Sequence, residues 1–564
     1  MNLPNRRPVI SATAAAAAAI ILAATPVHGA TPVLDAMKEE LQRSVKLLSQ
    51  QPTPVYYLSF EVTEDRRTIL RASFGHVAGN FENTRRLLDI DLRVGSPDLD
   101  NTHPIRGDFF ANMPDFSMVE VPLEDLDALR KILWYETDKK YKKASEQLTK
   151  VKANVQVKVK EEDQAGDFSA ESPESWSEDR ASVTIDRALW EEKLRRYTAP
   201  FSGSGHIYSA DATLSANAET RWYVNSEGSR IRTSQTYYRL MISAITKAED
   251  GMELPRYESF FSFTPDGLPD DSAVLSAVDD MIRDLEALKA APVVAPYTGP
   301  AILSGRASAV FFHEILGHRV EGHRHKEEDD AQTFKEMVNQ KVLPETFSVI
   351  FDPTVKRIES TDLVGSYRYD NQGVKSRRVP VIENGILKRF LMSRKPVEGF
   401  SKSNGHGRKQ AGLPPVARQS NLFVEVTESH TREELKARLI DLIKESDKPF
   451  GLYFEDVQGG FTFTGRMIPN AFNVLPIMVY RIFPDGREEL VRGVDLIGTP
   501  LTTFSKIAAA DNQLEAFNGI CGAESGGVPV AGISPAVLVS QIEVQKKEKS
   551  QERTPILPAP VDSR

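Results

Sequence analysis

The chain has 564 residues, 40% hydrophobic and 26% charged, enough for more than one packed core and too rich in core-forming side chains for disorder or a collagen-like repeat. Seventy Lys and Arg against seventy-nine Asp and Glu leave a net charge of -9, which repels phosphate backbones and argues against nucleic acid as a partner. The single cysteine, Cys521, excludes any intrachain disulfide.

The N-terminus reads as an export signal over residues 1–30. Asn5-Arg6-Arg7 is basic, Val9 to Ala24 is apolar and alanine-rich, and Val27-His28-Gly29-Ala30 offers small residues for cleavage. The apolar run is short for a bilayer span, which needs about 20 residues, so a soluble, exported and periplasmic protein is expected. Arg6-Arg7-Pro8-Val9-Ile10 also fits a twin-arginine signal, leaving the Sec and twin-arginine routes both open.

Beyond it, Val33, Leu34, Met37, Leu41, Val45 and Leu48 form a helical stripe. Tyr56–Val62 and Arg67–Phe74 read as a hairpin around Glu64-Asp65-Arg66, and Leu87–Val94 as an alternating strand. The lysine- and glutamate-rich stretch 136–163, with the polar segment that follows to about 180, reads as a solvated helix and loop. Thr220–Thr246 alternates on both sides of an Asn225-Ser226-Glu227-Gly228 turn. Val274, Leu275, Val278, Met281, Ile282, Leu285 and Leu288 make an amphipathic helix opened by Pro269-Asp270-Asp271-Ser272. Pro292, Pro296 and Pro300 then place a domain boundary near residue 292.

The expected architecture is α+β: a mixed α/β domain over 31–292, then a domain over 293–545 rich in antiparallel sheet. A short apolar helix, about Gly305 to Arg319, opens the second domain. Asn384-Gly385 and Pro484-Asp485-Gly486 mark hairpins, Tyr367–Arg378 reads as a solvated hairpin, and 546–564 as a disordered tail. Neither Ser202-Gly203-Ser204-Gly205 nor Gly405–Gln410 has the spacing of a nucleophile elbow or a dinucleotide site, so no nucleotide cofactor is expected.

The chemistry concentrates in His313-Glu314-Ile315-Leu316-Gly317-His318, a HExxxH pattern. Two imidazoles and an intervening carboxylate are what a hydrolytic zinc site needs: neutral nitrogens to hold the ion and a base beside its water. On a regular helix, positions five apart point about 140° away from each other. The helix must therefore contain an i to i+5 turn or stop near Gly317, whose missing side chain permits either. Cys521, in a glycine-flanked stretch that reads as a loop, is the candidate third ligand; Glu321 and His323 are alternatives. His323 and His325 read as exposed loop residues.

Ser308 to Gly322 resembles the metal-binding helix of the TldD/PmbA metalloproteases. The resemblance continues through Tyr369-Asp370-Asn371-Gln372-Gly373-Val374, Ile382–Lys388, Gly459-Gly460, Leu496-Ile497-Gly498-Thr499, Cys521-Gly522 and Val528-Pro529-Val530, covering about 215–545. It implies a two-domain subunit in a homodimer or a heterodimer with a related subunit. It also implies zinc on His313, His318 and Cys521, Glu314 as general base, and peptide substrates. The other readings are an exported binding or scaffold protein with a structural metal site, and an amidase acting on a nonpeptide substrate. An intact Glu314 favours the peptidase, because a structural site needs no base.

Overall fold

The computed structural model describes residues 31–105, 118–157, 163–326, 330, 332–465, 471–547, 555 and 557. The expected signal peptide and most of the expected tail lie outside the described residues. Pro32–Arg564 forms one contact unit. Its architecture is α+β, with the C-terminal part rich in sheet.

The first sheet grows from a long hairpin. Val55–Ser73 pairs antiparallel with His76–Ser96 across Phe74 and Gly75, both with positive φ, the geometry of a turn that follows the strands' twist. Glu64-Asp65-Arg66, expected as the turn, instead sits in mid-strand. Glu64 lies opposite Arg86 and Asp65 opposite Arg85, so matched charges across the ladder let the strand run through a tripeptide that reads as a break. Glu64 is buried beneath Arg66, Arg86 and Arg180. Ser209–Asn225 pairs on the other side of the first strand and turns into Arg230–Lys247 and then Glu253–Ser262.

Helices cover this sheet because their stripes need cover. Leu34, Met37 and Leu41 of the Pro32–Leu48 helix and Leu129 and Leu133 of the Leu126–Val157 helix share a core with Leu58, Phe60, Val62 and Leu88. Trp190 and Leu194 of the Arg187–Thr198 helix, with Val274, Val278 and Met281 of Asp271–Ala290, pack on Leu214, Leu240 and Ile242. Asp186 and Asp270 cap these two helices by accepting backbone N–H bonds.

Among the described residues, the second sheet contains eleven strands, mostly antiparallel as expected. Two parallel pairings depart from that: Asn421–Phe423 with Ala531–Ile533, and Ala301–Leu303 with Leu452–Phe454. Asn384 and Gly385 both take positive φ at the hairpin joining Val379–Glu383 to Ile386–Leu387. Tyr367–Arg378 corrects the sequence reading. Much of it is buried against the first sheet, with Arg221 donating to Tyr369 O at 2.6 Å and Tyr223 Oη to Gln372 O at 2.9 Å. Its backbone carbonyls are what the inner face of that sheet hydrogen-bonds.

The Gly305–Ile315 helix lies in the second core. Ser304 caps it by accepting from Ala307 N at 3.1 Å. Phe311 and Phe312 are fully buried among Val349, Phe351, Phe454 and Phe472, and truncating either to alanine would cost about 3–5 kcal/mol. On another face, Gly532 lets the Gly526–Lys546 strand approach closely: a Cβ there would meet the Ala309 Cβ at 2.9 Å. Ser308 Oγ and Ser534 Oγ meet at 2.7 Å in the same contact.

Candidate metal centre

The helix ends at Ile315, and a 3-10 turn over Gly317–Val320 carries His318. The expected break is therefore a helix end rather than an i to i+5 turn. With it, the His313 and His318 ring centroids are 5.0 Å apart and the rings nearly perpendicular. Gly317 does not take positive φ. Its absent side chain leaves room instead: a Cβ there would lie 1.9 Å from Gln419 Oε1.

Cys521 reaches the histidines from a strand, not the expected loop. It belongs to Ile507–Ala523, pairs with Val528 of Gly526–Lys546, and is buried with Val528 and Val530. The two strands share a tight turn at Glu524-Ser525, so the glycines around Cys521 belong to a hairpin end. Since the helix packs on the Gly526–Lys546 strand and that strand registers Cys521, the hairpin brings the thiol to the helix's C-terminus. Cys521 Sγ lies 3.3 Å from His318 Nε2. One ligand atom each from His313, His318 and Cys521 falls within a set spanning 4.8 Å, close enough to hold one metal ion.

Electrostatics suit a cation there. Burial opposes ionisation of Cys521, but His318 and His313 overcome it and hold the thiol well below its ordinary pKa. Burial likewise pushes His318 down, and Cys521 and Glu321 reverse it to well above the usual range. Glu321, buried, accepts at 3.3 Å from the other ring nitrogen, His318 Nδ1, leaving Nε2 towards Cys521. Burial raises the Glu321 pKa, but His318 and Arg324 bring it to about 2.

Glu314 is 5% exposed, and burial raises its pKa although His313 and His318 pull the other way. Its Oε2 is buried and, among the described residues, has no hydrogen-bond partner. Arg319 donates to Glu314 O at 2.6 Å, pinning the backbone. Gly460 lies beside the carboxylate, since a Cβ there would meet Glu314 Cγ at 2.7 Å.

His323 and His325, expected to be exposed, are 1% and 2% exposed. The Gly322–His325 turn folds inward because Gly322 packs against Met392, where a Cβ would meet Sδ at 2.4 Å. His323 Nε2 contacts Glu524, and the His325 ring lies 4.0 Å from that of Phe390. Burial, with His323 next in weight, lowers the His325 pKa to about 3, so it is neutral. Glu321 and His323, the alternative ligands, thus have other partners around the site.

Residues the motif reading missed complete the surroundings. Arg418 is fully buried and touches Cys521, while Gln419 Nε2 is 3.4 Å from both His313 Nε2 and His313 O. Neither carries a local sequence signal, because both act on residues about a hundred positions away.

Two family models match the chain: the PmbA/TldA metallopeptidase central domain over residues 182–285 and the PmbA/TldA metallopeptidase C-terminal domain over residues 296–546, together more than half its length. A metalloprotease of Methanocaldococcus jannaschii is 28% identical over 311 residues, 55% of this chain and 64% of that protein. A metalloprotease of Archaeoglobus fulgidus is 29% identical over 269 residues, covering 47% and 58%. A zinc metalloprotease TldD homologue of Saccharolobus solfataricus is 23% identical over 252 residues, covering 43% and 51%. The chain thus spans less than two thirds of the length of each of these relatives. Among solved structures, a modulator of a DNA gyrase from Thermotoga maritima superposes with a TM-score of 0.57 at 16% identity, covering 90% of this chain and 99% of that one. TldE from Thermococcus kodakarensis gives 0.56 at 13% identity, covering 90% and 100%. Both share the fold.

Proposed function

The chain belongs to the PmbA/TldD metallopeptidase family, and from that premise we propose that it is a zinc-dependent metallopeptidase hydrolysing peptide bonds of unstructured peptides. The observation that carries this reading is the convergence of His313, His318 and Cys521 beside a buried Glu314 carboxylate oxygen that makes no hydrogen bond among the described residues. Two imidazoles and a thiolate fit zinc, and three protein ligands are the number of a catalytic site, whereas structural sites close with four.

His313 and His318 would hold the ion through ring nitrogens and Cys521 through sulfur. Zinc, when bound, supplies a Lewis acid that acidifies water and polarises the substrate carbonyl. Glu314 accepts the proton of the attacking water at its free Oε2 and delivers it to the nitrogen of the leaving amine as the C–N bond breaks. Its raised pKa suits both halves of that transfer. Glu321 keeps His318 in the orientation that turns Nε2 inward. Cys521, His318 and Glu314 are buried and His313 only partly exposed, and such burial suits an extended chain better than a folded domain as substrate.

The reading extends to a dimer, either of this chain or with a related subunit, supported by the shared fold with TldE. It also includes export, supported by the N-terminal 30 residues. Metal analysis together with peptide-library cleavage, comparing the purified protein with Glu314→Gln, tests the catalytic reading. Absence of stoichiometric zinc, or equal cleavage by both proteins, overturns it.

A further inference from the structure

Arg418 stands between the elements that carry the candidate ligands. It follows the short Val416–Ala417 strand and precedes Asn421–Val426, whose parallel register with Ala531–Ile533 fixes it against the Cys521 hairpin. The side chain is 0% exposed. Burying a guanidinium costs several kcal/mol unless its donors find partners, and here both terminal nitrogens find hydrogen-bond acceptors while Nε faces a carboxylate. Nη2 donates to Cys521 O at 2.7 Å and Cys521 Sγ at 3.2 Å. Nη1 donates to Ser525 Oγ at 2.7 Å and Gly526 O at 2.9 Å. Nε faces Glu321 Oε1 at 3.4 Å, and among the described residues neither of those two atoms has a hydrogen bond.

One planar group therefore touches the ligand strand at Cys521, the turn that closes its hairpin, and the carboxylate that orients His318. The other oxygen of Glu321 is the one that meets His318 Nδ1. The neighbouring residue reaches the remaining ligand, since Gln419 Nε2 approaches His313 O at 3.4 Å. A lysine could place a charge here, but not five donors in a fixed plane.

We infer that Arg418 is a positioning residue of the metal centre: it fixes the Cys521 sulfur relative to His318 and, by donating to that sulfur, tempers its electron donation to the metal. The inference rests on the zinc reading of the His313, His318 and Cys521 cluster. Loss of such an outer partner typically weakens metal affinity about 10–100-fold. Arg418 is fully buried and spends its hydrogen bonds inside the protein, so its effect is expected on the metal.

The test is metal release and cobalt spectroscopy on the full chain. Wild type, Arg418→Met, Arg418→Lys and Ser525→Ala are each loaded with Co²⁺ to read the thiolate-to-cobalt charge-transfer band, and with Zn²⁺ to time transfer to a chromophoric chelator. Arg418→Met is expected to release zinc about 10–100-fold faster and to shift or weaken the cobalt band. Arg418→Lys should fall between it and wild type, and Ser525→Ala, which removes one anchor of the fork, should release zinc several-fold faster. If Arg418→Met does not fold by circular dichroism and thermal melting, the Lys and Ser525→Ala variants decide. Folded variants with the wild-type release rate and the wild-type band overturn the inference. A wild type with no charge-transfer band overturns the zinc reading itself, which is a separate result.

Discussion

Cys521 Sγ and His318 Nε2 lie 3.3 Å apart although 203 residues separate them in the chain. The contact exists because the hairpin of Ile507–Ala523 and Gly526–Lys546 packs its second strand along the Gly305–Ile315 helix. The thiol is thereby delivered to the turn that follows the helix.

If that contact is a metal site, Cys521 resists alkylation in the zinc-loaded protein and becomes reactive after chelation. Cys521→Ala should weaken zinc retention by more than the roughly 10–100-fold typical of an outer partner. Thiol titration with and without chelator checks both. Equal reactivity in the two states would remove Cys521 from the ligand set.

Glu314→Gln should keep its metal and lose about 10²–10⁴-fold in kcat, since the amide cannot take a proton from water. Zinc content by elemental analysis and turnover on a peptide pool separate the two effects. A variant lacking metal would make Glu314 a structural residue instead.

Gly460→Ala is expected to act on the base without touching the ligands. Its Cβ would come within 2.7 Å of Glu314 Cγ and 2.8 Å of Asn473 O. Displacement of Glu314 by about 1 Å costs on the order of 10²-fold in kcat, with zinc content unchanged. Wild-type kcat in this variant would show that the carboxylate has room to retreat.

Glu64 provides a pH signature of the first sheet. Burial raises its pKa, but hydrogen bonds from Arg180 and Arg86 outweigh that and hold it at about 2, below its ordinary 4.5. A depressed carboxyl pKa stabilises the fold above the ordinary value and loses that contribution as pH falls towards the folded one. Glu64→Gln, which leaves the half-exposed Arg66, Arg86 and Arg180 without their buried counter-charge, should destabilise by about 1–3 kcal/mol near neutrality. The difference from wild type should shrink between pH 4.5 and about 2. Denaturant melts at several pH values measure it, and a pH-independent difference would contradict the ion-pair account.

Export predicts a mature N-terminus between about Ala24 and Thr31, recovered from the periplasmic fraction. N-terminal sequencing after cell fractionation decides this, and intact Met1 in the cytoplasmic fraction would refute it.

Local chemistry by itself determined several features. The stripe from Val33 to Leu48, the aspartate-capped start of the Asp271–Ala290 helix and the Asn384-Gly385 turn are decided by neighbours within a few residues, so they are legible without a fold. The five-residue spacing of His313 and His318 likewise forced a helix end or a distorted turn, because a regular helix would point the rings apart. Tertiary structure decided the rest. Glu64-Asp65-Arg66 became mid-strand only because arginines lie opposite, and His323 and His325 became buried only because Gly322 packs on Met392. The roles of Gly317, Gly460, Arg418 and Gln419 are contacts with residues about a hundred or more positions away. A periodic pattern records which face of an element is covered, but not by what; only the packed sheets bring the arginine, the thiol and the two imidazoles to one place.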